Sequence, residues 1–223
     1  MKLSKLVSLV AVAAALVTNI STVSANQLEA IKEKAVLKVA VPQDFPPFGS
    51  VGTDLKPQGY DIDMAKYLAK ELNVKVELVP VTSANRIPYL QTQKVDLVIS
   101  SMGKNPEREK AIDFSEAYAP FFLGVFGTSD ENVAAAADLA DNTIGVTRGS
   151  VEDIELSKIA PETTTIKRFE DNNATLSSFL SGQIDLIATG NLVVTEIATR
   201  IARNLPGSGQ SQAFREFVWR LVN

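Results

Sequence analysis

Two segments of the chain repeat one pattern, and this repetition constrains the fold more than any other feature. Each has a polar turn, a hydrophobic residue, Asp-Leu, further apolar residues and then small polar residues; they are TQKVDLVISSM (92–102) and SGQIDLIATGN (181–191). Such a run predicts a buried strand that ends in a polar loop. Because the two segments hold equivalent positions in the two halves of the chain, we expect two related lobes.

Helix-like and strand-like segments alternate around these repeats. In the predicted helix at 61–72, Ile62, Ala65 and Ala69 recur at helical spacing. The alternation is typical of an α/β fold, in which helices cover an open, mostly parallel sheet. The predicted strands are 37–41, 74–81, a strand beginning at Val95, 143–146 and 164–169, and the other predicted helices are 87–91, 151–159 and 174–180.

Polar loops follow four of the predicted strands. In open α/β sheets, ligands bind at the carboxyl ends of the strands. Since each half of the chain contributes two of these loops, we expect a cleft between the lobes that all four loops line. The loops are 44–49, 100–103, 147–150 and 189–191.

Arg108 follows the loop at 100–103 and points to an anion site. Pro106 suits the first turn of a short helix, where free N–H groups and the helix dipole favour an anion. The loop and Arg108 together therefore predict a carboxylate site. The alternative is that Arg108 belongs to a solvated charged run at 107–110.

The first residues predict a secretory signal peptide. Lys2 and Lys5 precede an apolar run at 6–17 that is too short to span a bilayer, and we expect cleavage after Ala25. The mature chain then keeps 20 of the 22 basic residues beside 26 acidic ones, a formal charge of about −6. This balance gives no support to nucleic-acid binding.

The chain contains no cysteine and no histidine. This composition excludes disulfides, lipid attachment through cysteine, soft-metal sites and catalysis that depends on either side chain. Any chemistry of the protein therefore depends on carboxylates, hydroxyls, backbone groups and arginine.

Several co-linear motifs resemble family 3 of the extracellular solute-binding proteins, the periplasmic amino-acid receptors of ABC importers. They are GYDIDMAKYLAKEL (59–72), IPYLQTQKVDLVISSMGKNPEREKAIDFSEAY (87–118), IGVTRGS and GQIDLIATGN. The resemblance implies the two-lobed α/β fold of type II periplasmic-binding proteins, with the ligand cleft between the lobes.

The resemblance also implies a function. We expect a monomeric periplasmic receptor that closes over a small carboxylate-bearing solute, an amino acid, and delivers it to a membrane ABC permease. No cofactor, metal or catalytic residue is implied. The expected parts are a signal peptide (1–25), lobe 1 (26–123), lobe 2 (124–205) and an atypical tail (206–223).

Four residues of lobe 1 match ligand-binding positions of the family. By this resemblance, Phe45 packs over the aliphatic part of the ligand. Ser101 and Gly103 contact its amino and carboxylate groups, and Arg108 binds the α-carboxylate through charge-assisted hydrogen bonds.

Three residues of lobe 2 are assigned to the ligand site in the same way. Thr147 and Ser150 match a loop that closes on the carboxylate through hydroxyl and backbone N–H groups. Ser150 can also cap the following helix, which is compatible with anion binding. Asn191 is the third candidate.

The chain departs from the family near the ligand's ammonium group. Gly190 stands where many members have an aspartate that pairs with the ammonium. Either Asp44 or Glu152 supplies that charge instead, or the ligand is not a standard α-amino acid. Ser83 stands where a second aromatic residue would cover the ligand.

The tail after Arg203 also departs from the family, whose members normally return to lobe 1. Phe214, Phe217, Val218 and Leu221 have helical spacing, which predicts one amphipathic helix over an exposed apolar patch. We therefore expect a C-terminally truncated or frame-shifted member of the family.

Three other functions stay open on the sequence alone. One is a secreted enzyme on the same scaffold, resembling cyclohexadienyl dehydratase, with Asp44, Glu152 or Asp153 as general acid. The others are a sensor or partner-binding module without transport, and a non-functional remnant.

Overall fold

The structure is a computed structural model that describes residues 27–119, 122–127, 133–195 and 219–220. The predicted signal peptide and most of the predicted tail lie outside these residues. We call 27–119 the first unit, and 122–127 with 133–195 the second unit.

The first unit contains a parallel sheet and a small antiparallel sheet. Its elements are α1 (Gln27–Lys34), β1 (Val36–Pro42), β2 (Asp44–Phe45), β3 (Gly49–Val51), β4 (Pro57–Gln58), α2 (Tyr60–Glu71), β5 (Lys75–Val81), α3 (Arg86–Gln91), β6 (Leu97–Val98) and α4 (Pro106–Glu109). The parallel sheet has the order β5-β1-β6, and the antiparallel sheet has the order β2-β3-β4. In the parallel sheet, Val36 lies beside Lys75 and Pro42 lies beside Val81.

Helix α2 packs on the parallel sheet through one apolar stripe. Ile62, Ala65 and Ala69 are buried in a core shared with β1, as their helical spacing predicts. Gly59 precedes the helix with a φ of 130°, and a side chain at this position would collide with the backbone of Phe48. The entry to α2 therefore requires glycine.

The second unit is built around a five-stranded mixed sheet. Its elements are β7 (Leu123–Phe126), β8 (Thr143–Thr147), α5 (Val151–Ile159), β9 (Thr165–Phe169), α6 (Asn172–Leu180) and β10 (Leu186–Gly190), and the sheet also includes β11 (Trp219–Arg220). The strand order is β11-β7-β10-β8-β9. Its largest core cluster consists of Val125, Val133, Leu139, Ile144, Val146, Leu156, Leu186 and Ala188.

The prediction of an α/β fold is confirmed, and the sheet of the second unit is mixed rather than wholly parallel. The pairs β8-β9 and β8-β10 are parallel, whereas β7 runs antiparallel to β10. The chain enters β7 from the first unit without a preceding crossover helix, and an antiparallel pairing requires none. The apolar segment at 117–127 carries this strand.

The structure also adds elements that the sequence pattern did not predict. Helix α1 is one, and β2 is another, because Asp44 and Phe45 pair with Ser50 and Gly49 where we expected a loop. None of the helices in the described part of the chain is long and apolar enough to cross a bilayer.

Part of the tail pairs with the second unit. Trp219 lies beside Val125 and Arg220 beside Gly124, antiparallel to β7. The helix that we predicted through this part of the tail is therefore wrong for residues 219–220, because the edge of β7 offers unpaired backbone groups that an extended segment satisfies. Residues 214, 217, 218 and 221 lie outside the described residues.

Candidate ligand-binding site

A small cavity lies between the two units, at the carboxyl ends of their parallel strands. Its volume is about 40 Å³. The lining includes charged, hydroxyl and amide side chains, one aromatic ring and one glycine: Asp44, Phe45, Ser83, Arg86, Ser100, Ser101, Gly103, Thr147, Ser150, Glu152 and Asn172. This is where the topology of open α/β sheets predicts a ligand site.

The loop at 100–103 is held from behind by Asp61, the second residue of α2. The Asp61 Oδ2 atom accepts hydrogen bonds from the backbone N–H of Ser101 (2.7 Å) and from its hydroxyl (2.9 Å). Ser101 has a φ of 45°, a conformation that a non-glycine residue adopts only when its surroundings impose it. The Tyr118 hydroxyl donates to the other carboxylate oxygen of Asp61 (3.0 Å).

Asp61 makes contacts that the sequence did not predict. The residue is 0% exposed and bonds to two distant segments. Burial raises the pKa of Asp61, although the hydrogen bonds from Ser101 and Tyr118 favour its charged form.

Arg108 connects the first unit to the second. Asn105 caps the short helix α4 by accepting a hydrogen bond from the Arg108 backbone N–H (2.8 Å). The guanidinium donates to the carbonyl oxygen of Gly103 (2.7 Å) and, across the cleft, to that of Gly149 (3.1 Å). Arg108 is 5% exposed, so it does not lie in a solvated charged run. Burial lowers its pKa, while Glu152 opposes that shift.

A second buried arginine, Arg86, lines the cavity. Its Nε atom donates to the carbonyl of Ser83 (3.2 Å) and its Nη1 atom to that of Ser100 (2.8 Å). Burial and the neighbouring Arg108 lower the pKa of Arg86 to about 10. The sequence motifs did not single out Arg86, and the signal for it is an arginine at the start of an otherwise apolar helix.

The second unit presents hydroxyl groups to the cavity from its loop at 147–150. The Thr147 hydroxyl bonds to Asn172 Oδ1 (2.7 Å) and to the Thr175 hydroxyl (2.9 Å). Ser150 caps α5, since its Oγ atom accepts a hydrogen bond from the Asp153 backbone N–H (3.1 Å).

Two acids also line the cavity. Asp44 belongs to the first unit and accepts hydrogen bonds from Asn172 of the second. Glu152 lies in the first turn of α5 and is 6% exposed. Burial raises the pKa of Glu152, whereas the Ser150 hydroxyl and the charges of Arg86 and Arg108 favour its ionised form.

The structure brings six of the seven predicted site residues to the cleft. Arg108 bonds to the lining residue Gly103 and, across the cleft, to Gly149. The five others line the cavity themselves: Phe45, Ser101, Gly103, Thr147 and Ser150. Asn191 is not among the lining residues, and its side chain accepts a hydrogen bond from the backbone N–H of Phe122 (3.1 Å).

Two α/β units with a small charged cavity between them are typical of periplasmic solute receptors with the type II fold. Solved structures of such receptors match this chain. The arginine-bound form of truncated ArgBP from T. maritima is 29% identical, with a TM-score of 0.73 over 77% of this chain and 81% of that one. The cysteine-binding protein from Campylobacter jejuni is 31% identical, with a TM-score of 0.75 over 79% and 72%.

The chain belongs to the bacterial extracellular solute-binding proteins, family 3, whose family model matches residues 37–198. The glutamine-binding protein of Geobacillus stearothermophilus is 33% identical over 178 residues, which are 78% of this chain and 68% of that protein. The L-cystine-binding protein TcyJ of Escherichia coli K12 is 26% identical over 85% of this chain and 71% of its own length. The match to the arginine-binding extracellular protein ArtP of Bacillus subtilis is 31% identical and covers 60% of this chain but only 51% of ArtP. All of these relatives are named as binding proteins.

Proposed function

We propose that this chain is the solute-binding component of an ABC importer and that it binds an amino acid by closure of two lobes. The lobes correspond to residues 26–123 and 124–205, and the ligand occupies the cleft between them. After export to the periplasm, a monomer would deliver the solute to a membrane permease. Relatives named for glutamine, arginine and cystine support an amino acid as the ligand class.

The observation that carries the proposal is the pair of buried guanidinium groups at the cleft. Arg86 and Arg108 donate to backbone carbonyls, which are neutral, and among the described residues neither forms an ion pair within 4.0 Å. Burial of two positive charges without an acid partner destabilises the folded protein, and an anionic ligand offsets that destabilisation. A carboxylate fits this need because it accepts paired hydrogen bonds from a guanidinium.

Closure couples binding to the position of the second unit. Arg108 already reaches Gly149 across the cleft, so an anion bound at Arg108 lies next to the Thr147 and Ser150 loop. We propose that Phe45, Ser101 and Gly103 complete the site from the first lobe. A ligand that contacts both lobes stabilises the closed state by its differential affinity for that state.

The test is a thermal-shift screen of the exported protein against the twenty L-amino acids and L-cystine, followed by calorimetry of the compounds that stabilise it. A ligand at about 100 times its dissociation constant stabilises the native state by about 2.7 kcal/mol, which raises the melting temperature by several degrees. We expect at least one amino acid to do so. A cooperative melt that no compound shifts would overturn the proposal.

A further inference from the structure

Three acidic side chains lie at or beside the cleft, and the structure distinguishes their roles. They are Asp44, Asp153 and Glu152. An amino-acid ligand carries an ammonium group that needs a counter-charge once it is buried. The acid that serves it must reach the cavity, and its carboxylate must not be held by donors from a distant segment of the protein.

The Asp44 carboxylate already binds groups of the second unit. Its Oδ2 atom accepts hydrogen bonds from the backbone N–H groups of Asn172 (2.6 Å) and Asn173 (3.4 Å), and its Oδ1 atom accepts one from the Asn172 side chain (3.1 Å). Both oxygens therefore bind the first turn of α6, where a carboxylate also interacts favourably with the helix dipole.

Both carboxylate oxygens of Asp153 are also hydrogen-bonded within the protein. One of its oxygens accepts a hydrogen bond from Arg168 (2.7 Å) and the other from the backbone N–H of Gly149 (3.0 Å). This side chain holds the loop at 147–150 from behind and does not line the cavity.

Glu152 remains. It is 6% exposed and lines the cavity, and within the described ranges no cation lies within 4.0 Å of its carboxylate. Arg86 and Arg108 act on it electrostatically from the opposite unit without forming an ion pair at that distance. Arg86 and Glu152 thus line the cavity, with Arg108 directly behind the lining residue Gly103, and the three buried charges do not neutralise one another by direct contact.

We propose that Glu152 binds the ammonium group of the ligand while the arginines bind its carboxylate. The assignment rests on the proposed function. In an α-amino acid, the carboxylate and the ammonium are attached to the same carbon, so their counter-charges must lie at one small cavity, as Arg86 and Glu152 do. The Ser150 hydroxyl favours the ionised form of Glu152, which is the form that an ammonium needs.

The experiment compares amino acids with their deaminated counterparts on wild type and on E152Q. The pairs are L-glutamine with 4-carbamoylbutanoate, L-arginine with 5-guanidinopentanoate and L-cysteine with 3-mercaptopropionate, each measured by calorimetry. For each amino acid that binds, we expect E152Q to weaken affinity by about 30-fold or more, because a buried charge pair loses one partner. We expect E152Q to bind the deaminated acid as well as wild type does, or better.

Two further variants separate this role from a structural one. Glu155 lies on the same helix, pairs with Lys158 at 3.0 Å and does not line the cavity, so E155Q should leave both affinities unchanged. D44A should weaken the affinity for both compounds of a pair by the same factor, because Asp44 acts on closure and does not bind the ammonium group.

The outcomes distinguish the two proposals. If E152Q weakens an amino acid and its deaminated counterpart equally, or weakens neither, Glu152 does not bind the ammonium, although the carboxylate receptor stands. Tight binding of the deaminated acids alone by wild type leads to the same conclusion. Failure of every amino acid in the full screen to bind wild type overturns the proposed function and this assignment together.

Discussion

Asp44 and Asn172, 128 residues apart in sequence, join the two units across the cleft. The Asp44 carboxylate accepts a hydrogen bond from the backbone N–H of Asn172 at 2.6 Å and another from its side-chain amide at 3.1 Å. Because Asp44 ends up at the N-terminus of α6, the contact combines charge-assisted hydrogen bonds with a favourable helix dipole. It can form only when the units are together.

Loss of this contact should therefore weaken closure. We expect D44A to reduce ligand affinity by about 10-fold to 100-fold, the effect of a charge-assisted hydrogen bond worth about 1.5–3 kcal/mol. Small-angle scattering should show a larger radius of gyration for the ligand-free variant. D54A, which removes an exposed acid in the turn before β4, serves as the control. An unchanged affinity and radius would contradict a role of Asp44 in closure.

Arg108 should be required for binding of any carboxylate ligand. R108A removes a guanidinium that bonds to Gly103 and Gly149, and we expect affinity to fall by at least about 100-fold. R108K keeps the charge but loses the planar fork, so its affinity should lie between those of wild type and R108A. R148A is the matched control, because Arg148 lies in the Thr147–Ser150 loop but is exposed beside Glu170. Calorimetry that shows R108A binding like R148A would remove Arg108 from the site.

Gly149 should be sensitive to a side chain for two separable reasons. Its φ is 72°, and a Cβ atom there would lie 3.1 Å from Cα of Ala84 in the opposite unit. Gly182 has the same φ of 72° but nothing within 4 Å of an added Cβ. We expect G149A and G182A each to lower the free energy of unfolding by about 1 kcal/mol, from backbone strain alone.

Only G149A should also weaken ligand binding, by about threefold to tenfold, because the new methyl group opposes the close approach of the units. Urea unfolding measures the loss of stability that the two variants share, and calorimetry measures the difference in their ligand affinities. Equal affinities of the two variants would mean that the contact between Gly149 and Ala84 does not limit closure.

Asp61 should make stability depend on pH. Burial raises its pKa above 3.8 in the folded state, so the folded protein binds this proton more tightly than the unfolded chain does. The contribution of Asp61 to the free energy of unfolding therefore rises as the pH falls through the raised pKa, and is lost as the pH rises. D61N removes this dependence, so its stability relative to wild type should increase as the pH rises from 3.8 through the raised pKa.

A second variant tests the cause of that shift. Tyr118 donates a hydrogen bond that favours the charged form of Asp61. Y118F should raise the pKa of Asp61 further and move the pH-dependent loss of stability to a higher pH. Urea unfolding at several pH values measures both variants, and parallel profiles for D61N and wild type would show that Asp61 does not titrate in this range.

The sequence by itself determined most of the helices and strands and the polar loops that meet at the cleft. Helix α5 spans residues 151–159 as predicted, and the buried stripe of α2 follows the spacing of Ile62, Ala65 and Ala69. These features depend on local periodicity, which decides the buried face of a helix or strand before distant segments meet. The polar loops at the ends of parallel strands meet at the cleft because the topology requires it.

Only the tertiary structure decided which charged groups act there and with which partners. Sequence analysis left Asp44 and Glu152 as equal candidates, and the packing of α6 against β2 commits Asp44 to Asn172. The tertiary structure also places Arg86 at the cavity and buries Asp61 behind Ser101. The electrostatic environment of each side chain comes from residues far away in the chain, so its role depends on packing that no local pattern encodes.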